Sequence, residues 1–234
     1  MIEAGIPYKE ILTKCNRAGI DFSKTECCLV THAHSDHCKA MKDVANHGIK
    51  VFASKYTLEK ANTRGVELSN LKVIKVAENL YLMPFEVYHD IEGSMGFVIK
   101  SPTETIIFVN DCKFWKVNLI NFKPTAVFIE CNFIDKVVYA QYGSLKREID
   151  SGTLNEKDLK EAQIKLSQHR RNIDAHMSLS SCVKNLKKLN LRHCTAIFLM
   201  HMSDRFANEY QMKETVKMAT GIRTYACGKR GGIK

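Results

Sequence analysis

The sequence lacks any hydrophobic run long enough to cross a membrane, since no apolar stretch approaches the roughly 18 residues that a spanning helix needs. It also lacks a C-x-x-C pair, and its nine cysteines are scattered and odd in number. These features argue against a disulfide framework and for a reducing compartment. No signal peptide is evident at the amino end. We therefore expect a cytoplasmic protein without a membrane partner.

Internal repeats, low-complexity tracts and linkers rich in proline or glycine are missing as well. A chain of 234 residues is long enough for one α/β domain with a substantial core and short for two. The content of 45% hydrophobic and 26% charged residues is typical of a globular protein. We expect a single domain over residues 1–234.

Acidic side chains are outnumbered, with 25 Asp and Glu against 35 Lys and Arg and a formal net charge of +10. Such an excess favours a polyanionic partner such as nucleic acid, although a basic surface without a partner is an open alternative. The late basic residues are Arg170, Arg171, Lys184, Lys187, Lys188, Arg192, Lys229, Arg230 and Lys234.

Apolar runs and helical periodicity alternate along the chain, which predicts a layered α/β fold. A helix is predicted over about 8–17, and a buried strand over 27–30. A helix over about 39–46 should follow. Residues 133–171 look largely helical and charged. This segment could be an arm that grips nucleic acid, a dimer contact or a solvated helical hairpin.

The strand at 27–30 leads directly into Thr31-His32-Ala33-His34-Ser35-Asp36-His37. Imidazole and carboxylate groups are ligands that zinc, manganese and iron prefer. The spacing of His32 and His34 suits a tight loop in which both rings reach one ion. Asp36 and His37 come next, placed for a second ion at the separation of about 3.5–4 Å typical of two-metal sites. The segment predicts a metal centre.

This H-x-H-x-D-H pattern resembles the metallo-β-lactamase superfamily, whose αββα sandwich is the implied fold. Later positions agree: His89 precedes the Gly96-Phe97 strand, Asp111 follows Ile106–Val109, and His201 follows Ala196–Met200. The resemblance implies two divalent ions, with zinc expected and manganese as the alternative. One ion would take His32, His34 and His89, and the other Asp36, His37 and His201, with Asp111 bridging them.

The amino end departs from the family pattern. Members usually begin with two or three strands before an Asp-Ala-Gly sequence, whereas this chain opens at Met1-Ile2-Glu3-Ala4-Gly5, as though those strands were missing. Glu3 stands where the family usually has the Asp that supports the histidine loop. An unpaired strand edge is a route to association, so a homodimer is a further expectation.

Two later motifs resemble the ribonuclease Z branch and the related YycJ (WalJ)-like nucleases. They are Asp174-Ala175-His176-Met177-Ser178 and Ile129-Glu130-Cys131-Asn132. By that resemblance, Glu130 orients His176, and protonated His176 contacts the scissile phosphate or protonates the leaving oxygen. Asp36 would position or deprotonate the nucleophilic water, which two metal ions convert to a bridging hydroxide. Because a Gly/Pro-rich arm is not evident, transfer-RNA processing is not expected.

The resulting prediction is a di-metal hydrolase of phosphodiester bonds, a nuclease acting on DNA or RNA. The alternative is a phosphodiesterase for small cyclic nucleotides, such as phage proteins that counter cyclic-nucleotide defence. Hydrolysis of a lactone or thioester is a third possibility, disfavoured by the pairing of His176 with Glu130. Two interpretations of Arg205 stay open, a phosphate contact or an ion pair with Glu209. Phe114, Trp115 and Lys116 could stack on a base or anchor a loop.

Overall fold

The computed structural model describes residues 1–228 and has a mixed α/β fold. Within those residues, the helices are α1 Tyr8–Arg17, α2 Ser35–Cys38, α3 Met41–Asn46, α4 Lys55–Lys60, α5 Asp135–Asp150, α6 Glu156–Ala175, α7 Leu179–Leu186 and α8 Glu209–Thr220. The strands are β1 Cys27–Leu29, β2 Lys50–Ser54, β3 Val66–Leu68, β4 Ile74–Ala77, β5 Leu80–Tyr88, β6 Met95–Lys100, β7 Thr105–Val109, β8 Phe114–Trp115, β9 Ala126–Glu130, β10 Ala196–Met200 and β11 Thr224–Ala226. Every described helix is too short or too polar to span a bilayer.

The described chain divides into two compact units. The first comprises Met1–Val87 and Ile91–Glu104, and the second comprises Tyr88–Asp90 and the chain from Thr105 onward. The assignment of a single domain to residues 1–234 stays a prediction.

The first unit contains a parallel sheet in the order β1-β2-β3 and the antiparallel strands β4, β5 and β6. Its core includes Val30, Met41 and Val44, which are fully buried. The predicted helix over 8–17 is α1, confirmed at both ends. The predicted helix over 39–46 is wrong in part, because residues 35–46 form two short helices, α2 and α3, with Lys39 and Ala40 between them.

The amino-terminal residues pair with β1 and with the end of the histidine loop. Ile2 forms an isolated parallel bridge with Leu29, and β1 is the first full strand of the described chain. The Ala4 amide donates to the His37 carbonyl at 2.8 Å, and the Ala40 amide donates to the Ala4 carbonyl at 2.8 Å. These hydrogen bonds tie residues 2–4 to both ends of the segment that carries the predicted ligands.

The second unit contains a parallel sheet in the order β7-β9-β10-β11. Helices α5, α6 and α7 connect β9 to β10, and α8 connects β10 to β11, as is usual for parallel strands. The connection from β7 to β9 contains β8 and no α-helix. Val109 pairs with Ile129, and Met200 pairs with Glu130. Because carboxyl ends of parallel strands share one edge of a sheet, the residues that follow β7, β9 and β10 are brought together.

The segment predicted to be helical over 133–171 forms two helices, α5 and α6, which pack against each other. Asn155 caps the start of α6 by accepting a hydrogen bond from the Asp158 amide at 2.9 Å. The helical prediction is confirmed, but α6 continues beyond residue 171 to Ala175. The chain therefore leaves α6 at His176, where the second predicted catalytic motif lies.

Candidate metal centre and active site

Three imidazole rings of the first unit converge on the loop after β1. His32 is fully buried, and its Nε2 lies 3.0 Å from Nδ1 of His34. The centroids of the His32 and His37 rings are 4.0 Å apart. Three nitrogen-bearing side chains with little solvent access form a donor set that suits a transition-metal ion.

The Glu3 carboxylate supports this loop through hydrogen bonds and a contact with His37, as the family pattern implied. Its Oε1 accepts the Thr31 hydroxyl at 2.5 Å and lies 3.2 Å from Nδ1 of His37. The Thr31 amide donates to Oε2 at 3.3 Å, and the Thr31 hydroxyl also contacts Nδ1 of His32 at 2.9 Å. Glu3 adopts a left-handed backbone conformation with φ of 64°. One carboxylate thus positions two of the predicted ligand rings.

Asp36 is the exposed member of the motif. Its side chain is 71% exposed, and Oδ2 lies 3.8 Å from Nε2 of His37. The structure therefore places this carboxylate beside the histidine cluster but open to solvent, where it can reach water. Its roles as a metal ligand and in water activation stay predictions.

In the second unit, Asp111 and His201 meet at the carboxyl edge of the parallel sheet. Nδ1 of His201 lies 2.9 Å from Oδ1 of Asp111. Both residues adopt the left-handed conformation, with φ of 46° and 52° respectively. For a non-glycine residue this conformation is uncommon and is frequent at functional sites, where surrounding structure offsets a cost of about 1–3 kcal/mol.

Glu130 is fully buried at the end of β9 and has hydrogen-bond partners at both carboxylate oxygens. Oε1 lies 2.7 Å from Nδ1 of His176 and 3.0 Å from Nδ1 of His201. Oε2 accepts the Cys112 amide at 2.6 Å and the Met177 amide at 3.3 Å. A buried carboxylate is stable only when it is paired and hydrogen-bonded in this way. Glu130 therefore holds both imidazoles in fixed orientations.

Burial alone would lower the pKa of His201, but its hydrogen bonds to Asp111 and Glu130 outweigh that effect and raise the pKa to about 10. In the metal-free protein, His201 is thus protonated at neutral pH. A histidine binds a metal ion as the neutral ring, so metal binding by His201 would release this proton.

His89 is the remaining predicted ligand of the second unit, beside Asp111 and His201. Nδ1 lies 3.1 Å from the Ala175 carbonyl, while Nε2 lies 3.0 Å from Asp90 and 3.8 Å from Oδ2 of Asp111. Burial lowers the pKa of His89 despite the nearby carboxylates. If Nδ1–H donates to the Ala175 carbonyl, Nε2 stays unprotonated, the form in which imidazole binds metal.

The donor set of this unit fits a divalent metal ion. Asp111, His176 and His201 each offer one ligand atom, and these atoms lie within 4.8 Å of one another. His176, predicted as a catalytic group and not as a ligand, is therefore also within reach of an ion bound by Asp111 and His201. The assignment of individual ligands stays a prediction.

Asn132 has a structural role at this edge that the sequence analysis missed. Its side-chain amide donates to the His201 carbonyl at 2.8 Å, and its carbonyl accepts the Ser203 amide at 2.8 Å. These contacts stabilise the left-handed turn at His201. The available signal was a polar residue two positions after Glu130, at the end of a buried strand.

A cavity of about 900 Å³ opens beside His176 and His201, within the second unit. Most residues that line it have polar side chains, Gln141, Lys165 and Arg205 among them, although slightly more of its surface is apolar than polar. Leu145, Met202 and Phe206 are the apolar side chains of the described lining. A site of this size accommodates an organic ligand, and its polar walls suit a hydrogen-bonding one.

Other predicted binding residues have structural partners. Phe114 stacks on Tyr88 with ring centroids 4.8 Å apart, which supports the loop-anchor interpretation. Arg171 forms an ion pair with Asp90 at 2.8 Å, and Arg170 lies 3.6 Å from Asp174. Among the other late basic residues, Lys184, Lys187, Lys188 and Arg192 are exposed. Lys229, Arg230 and Lys234 lie outside the described residues.

Solved structures with the same fold have little sequence in common with this chain. The metallo-β-lactamase fold protein YhfI from Bacillus subtilis aligns with a TM-score of 0.66 and 14% identity, covering 100% of this chain and 85% of that one. Zn²⁺-bound PqqB from Methylobacterium extorquens aligns with a TM-score of 0.63 and 9% identity, covering 100% and 82%. The short form of human tRNase Z aligns at 0.53 and 14%, covering 87% and 82%.

No curated protein matches the chain in sequence. A family model described as the β-lactamase superfamily domain matches residues 9–202, which include all the predicted metal ligands. The fold prediction is confirmed by this match and by the structural likeness. The chain belongs to the β-lactamase superfamily and has the metallo-β-lactamase fold.

Proposed function

We propose that this protein is a metal-dependent hydrolase of phosphodiester bonds and acts as a nuclease. The observation that carries the proposal is the pairing of a buried carboxylate with an imidazole beside the candidate metal ligands. Oε1 of Glu130 lies 2.7 Å from Nδ1 of His176. Human tRNase Z, a structural neighbour named for a nuclease activity, has the same fold.

The residues proposed to hold two divalent ions are those that the family pattern assigns. They are His32, His34, Asp36, His37, His89, Asp111 and His201. Zinc is the proposed ion, because imidazole-rich sites favour it, and manganese is the alternative. When bound, such ions supply an activated water and offset the negative charge of the transition state.

His176 is the proposed general acid. Because Glu130 accepts a hydrogen bond from Nδ1–H of His176, the proton that His176 can transfer is the one on Nε2. His176 would donate this proton to the leaving oxygen as the phosphorus–oxygen bond breaks. Asp36, exposed beside His37, would orient the attacking water.

The cavity beside His176 and His201 supports a nucleotide substrate over an acyl one. Its hydrogen-bonding side chains include Gln168, Asn172 and Ser203. A lactone or thioester with an acyl chain would be better bound by an apolar wall. Cyclic mononucleotides are the second candidate substrate, because a cavity of about 900 Å³ is large enough to admit one.

The test compares substrates directly with zinc- or manganese-loaded protein. Turnover of 5′-labelled DNA and RNA is measured beside a panel of cyclic mononucleotides. The proposal predicts cleavage of a polymer, and His176→Ala should lose most turnover while it keeps its metal content. His193→Ala, at an exposed histidine of the same unit, is the matched control. Cleavage of cyclic nucleotides alone would replace the nuclease with the second candidate.

A further inference from the structure

Helix α6 presents a polar face to the cavity. Lys165, His169, Asn172 and His176 all line it. They are spaced at i, i+4, i+7 and i+11, so they follow one face of the helix up to its carboxyl-terminal cap, His176. Eleven residues of helix correspond to about 16 Å along the axis. This face therefore runs from His176, the proposed general acid, to Lys165 near the middle of the helix.

A second basic residue lines the same cavity from the segment that follows β10. Arg205 comes four residues after His201, and its backbone amide donates to the Ser203 hydroxyl at 3.3 Å. Burial, and then the positive charge of Arg205, lower the pKa of His169. Arg205 lines the same cavity as the polar face of α6, on which His169 packs against Phe206 with ring centroids 4.8 Å apart.

We infer that Lys165 and Arg205 bind a phosphate of the substrate other than the one that is cleaved. The inference rests on the proposed function and names its substrate class, a nucleic acid with several phosphates and not a mononucleotide. A cyclic mononucleotide has one phosphate, which would be consumed at His176, so it leaves Lys165 and Arg205 without an anion to bind. A strand places further phosphates along α6.

The charges around the cavity are compatible with this inference. Nζ of Lys165 lies 3.9 Å from Oε2 of Glu161, and both side chains are more than half exposed. Such an exposed pair contributes little free energy, so a phosphate oxygen can compete for the lysine. Asp204 also lines the cavity and opposes anions there. Guanidinium and ammonium groups bind phosphate through charge-assisted hydrogen bonds that outweigh one exposed carboxylate.

The inference is tested by binding, which requires neither metal nor turnover. The full-length protein is treated with EDTA, and the fluorescence anisotropy of fluorescein-labelled hexathymidylate is followed as protein is added. We expect Lys165→Ala and Arg205→Ala each to weaken binding at least fivefold. Each should also reduce the slope of log affinity against log salt by about 0.7, the value for one lost phosphate contact on a single strand.

Matched controls remove exposed cations of the same unit that do not line the cavity. Lys217→Ala changes an exposed lysine on α8, and Arg223→Ala changes an exposed arginine before β11. Both should bind within twofold of the wild-type protein. Circular dichroism melting curves check that all four variants are folded.

Two results would overturn the inference. One is affinity in Lys165→Ala and Arg205→Ala equal to that of the controls. The other is displacement of the hexathymidylate by an equal nucleotide concentration of cyclic AMP. Repeating the series with hexauridylate shows whether DNA or RNA binds more tightly, and either supports a strand. Failure of the proposed function would look different. Binding would still depend on salt and would still be weakened by Lys165→Ala and Arg205→Ala, but the metal-loaded protein would hydrolyse no phosphodiester.

Discussion

Oε1 of Glu130 lies 2.7 Å from Nδ1 of His176, and the same oxygen lies 3.0 Å from Nδ1 of His201. One buried carboxylate therefore orients the proposed general acid and a predicted metal ligand together. Such supporting contacts fix the tautomer of the imidazole and its direction. Disturbing Glu130 should consequently affect metal binding and catalysis at once.

Glu130→Gln keeps the shape of the side chain but removes its charge. We expect a loss of about 10–100-fold in turnover or metal affinity, typical of changes to groups that support metal ligands. Metal content by mass spectrometry and kcat on a small phosphodiester measure the two effects. Glu148→Gln, on the exposed face of α5, is the control. Wild-type values for both quantities in Glu130→Gln would show that the carboxylate has no such role.

Glu3→Ala should loosen the histidine loop of the first unit. The substitution removes the acceptor of the Thr31 hydroxyl and the carboxylate beside His37. Leaving these partly buried groups unsatisfied costs about 1–3 kcal/mol in the free energy of unfolding. Urea denaturation of the metal-free protein measures the cost, and zinc stoichiometry measures the effect on the loop. Glu10→Ala, at an exposed position of α1, should change neither the stability nor the zinc stoichiometry. Equal stability and zinc stoichiometry in Glu3→Ala and Glu10→Ala would contradict this account.

Gly5 tests how closely the amino-terminal segment approaches the loop. A Cβ atom added there would lie 1.5 Å from the Asp36 carbonyl oxygen, so Gly5→Ala must displace the backbone that carries Asp36 and His37. We expect strong destabilisation and reduced metal content. Gly143→Ala is the paired control, because its Cβ would come no nearer than 3.6 Å to Arg147 on α5. That helical substitution should stabilise the protein by about 0.5–1 kcal/mol, as thermal unfolding can show.

The raised pKa of His201 gives the metal-free protein a pH-dependent stability. Folded His201 keeps its proton up to a pKa of about 10, whereas an unfolded histidine loses it near 6.5. The folded state therefore binds more protons between these values, and the stabilisation present below pH 6.5 is lost as the pH rises to 10. Urea unfolding between pH 6 and 10 should show a steeper decline for wild type than for His201→Gln. Parallel declines would mean that His201 is not held protonated.

Much of the candidate site could be predicted because its proposed ligands are local in sequence or follow recognisable strands. His32, His34 and His37 lie within six residues, and Asp111 and His201 come just after apolar runs that form β7 and β10. Parallel pairing then brings the strand ends together, so these predictions required only the strands themselves.

The remainder depends on tertiary contacts that a local pattern does not contain. The interruption of the helix at Ala40 coincides with a hydrogen bond from its amide to Ala4, a residue distant in sequence. Likewise, the role of Asn132 arises from the His201 carbonyl on a neighbouring strand end. Helical periodicity indicated α6, but it could not predict that Arg205 lines the same cavity as the polar face of this helix.

The measurement that tests the central claim most directly is hydrolysis of a simple phosphodiester, bis(p-nitrophenyl) phosphate, by the wild-type protein. The account predicts turnover with zinc or manganese that EDTA abolishes and added metal restores. It also predicts that His176→Ala loses at least tenfold in kcat at unchanged metal content, since general acid catalysis contributes about 10²–10⁴-fold. A protein that binds metal at full stoichiometry and still hydrolyses no phosphodiester, either this one or DNA or RNA, would contradict the account.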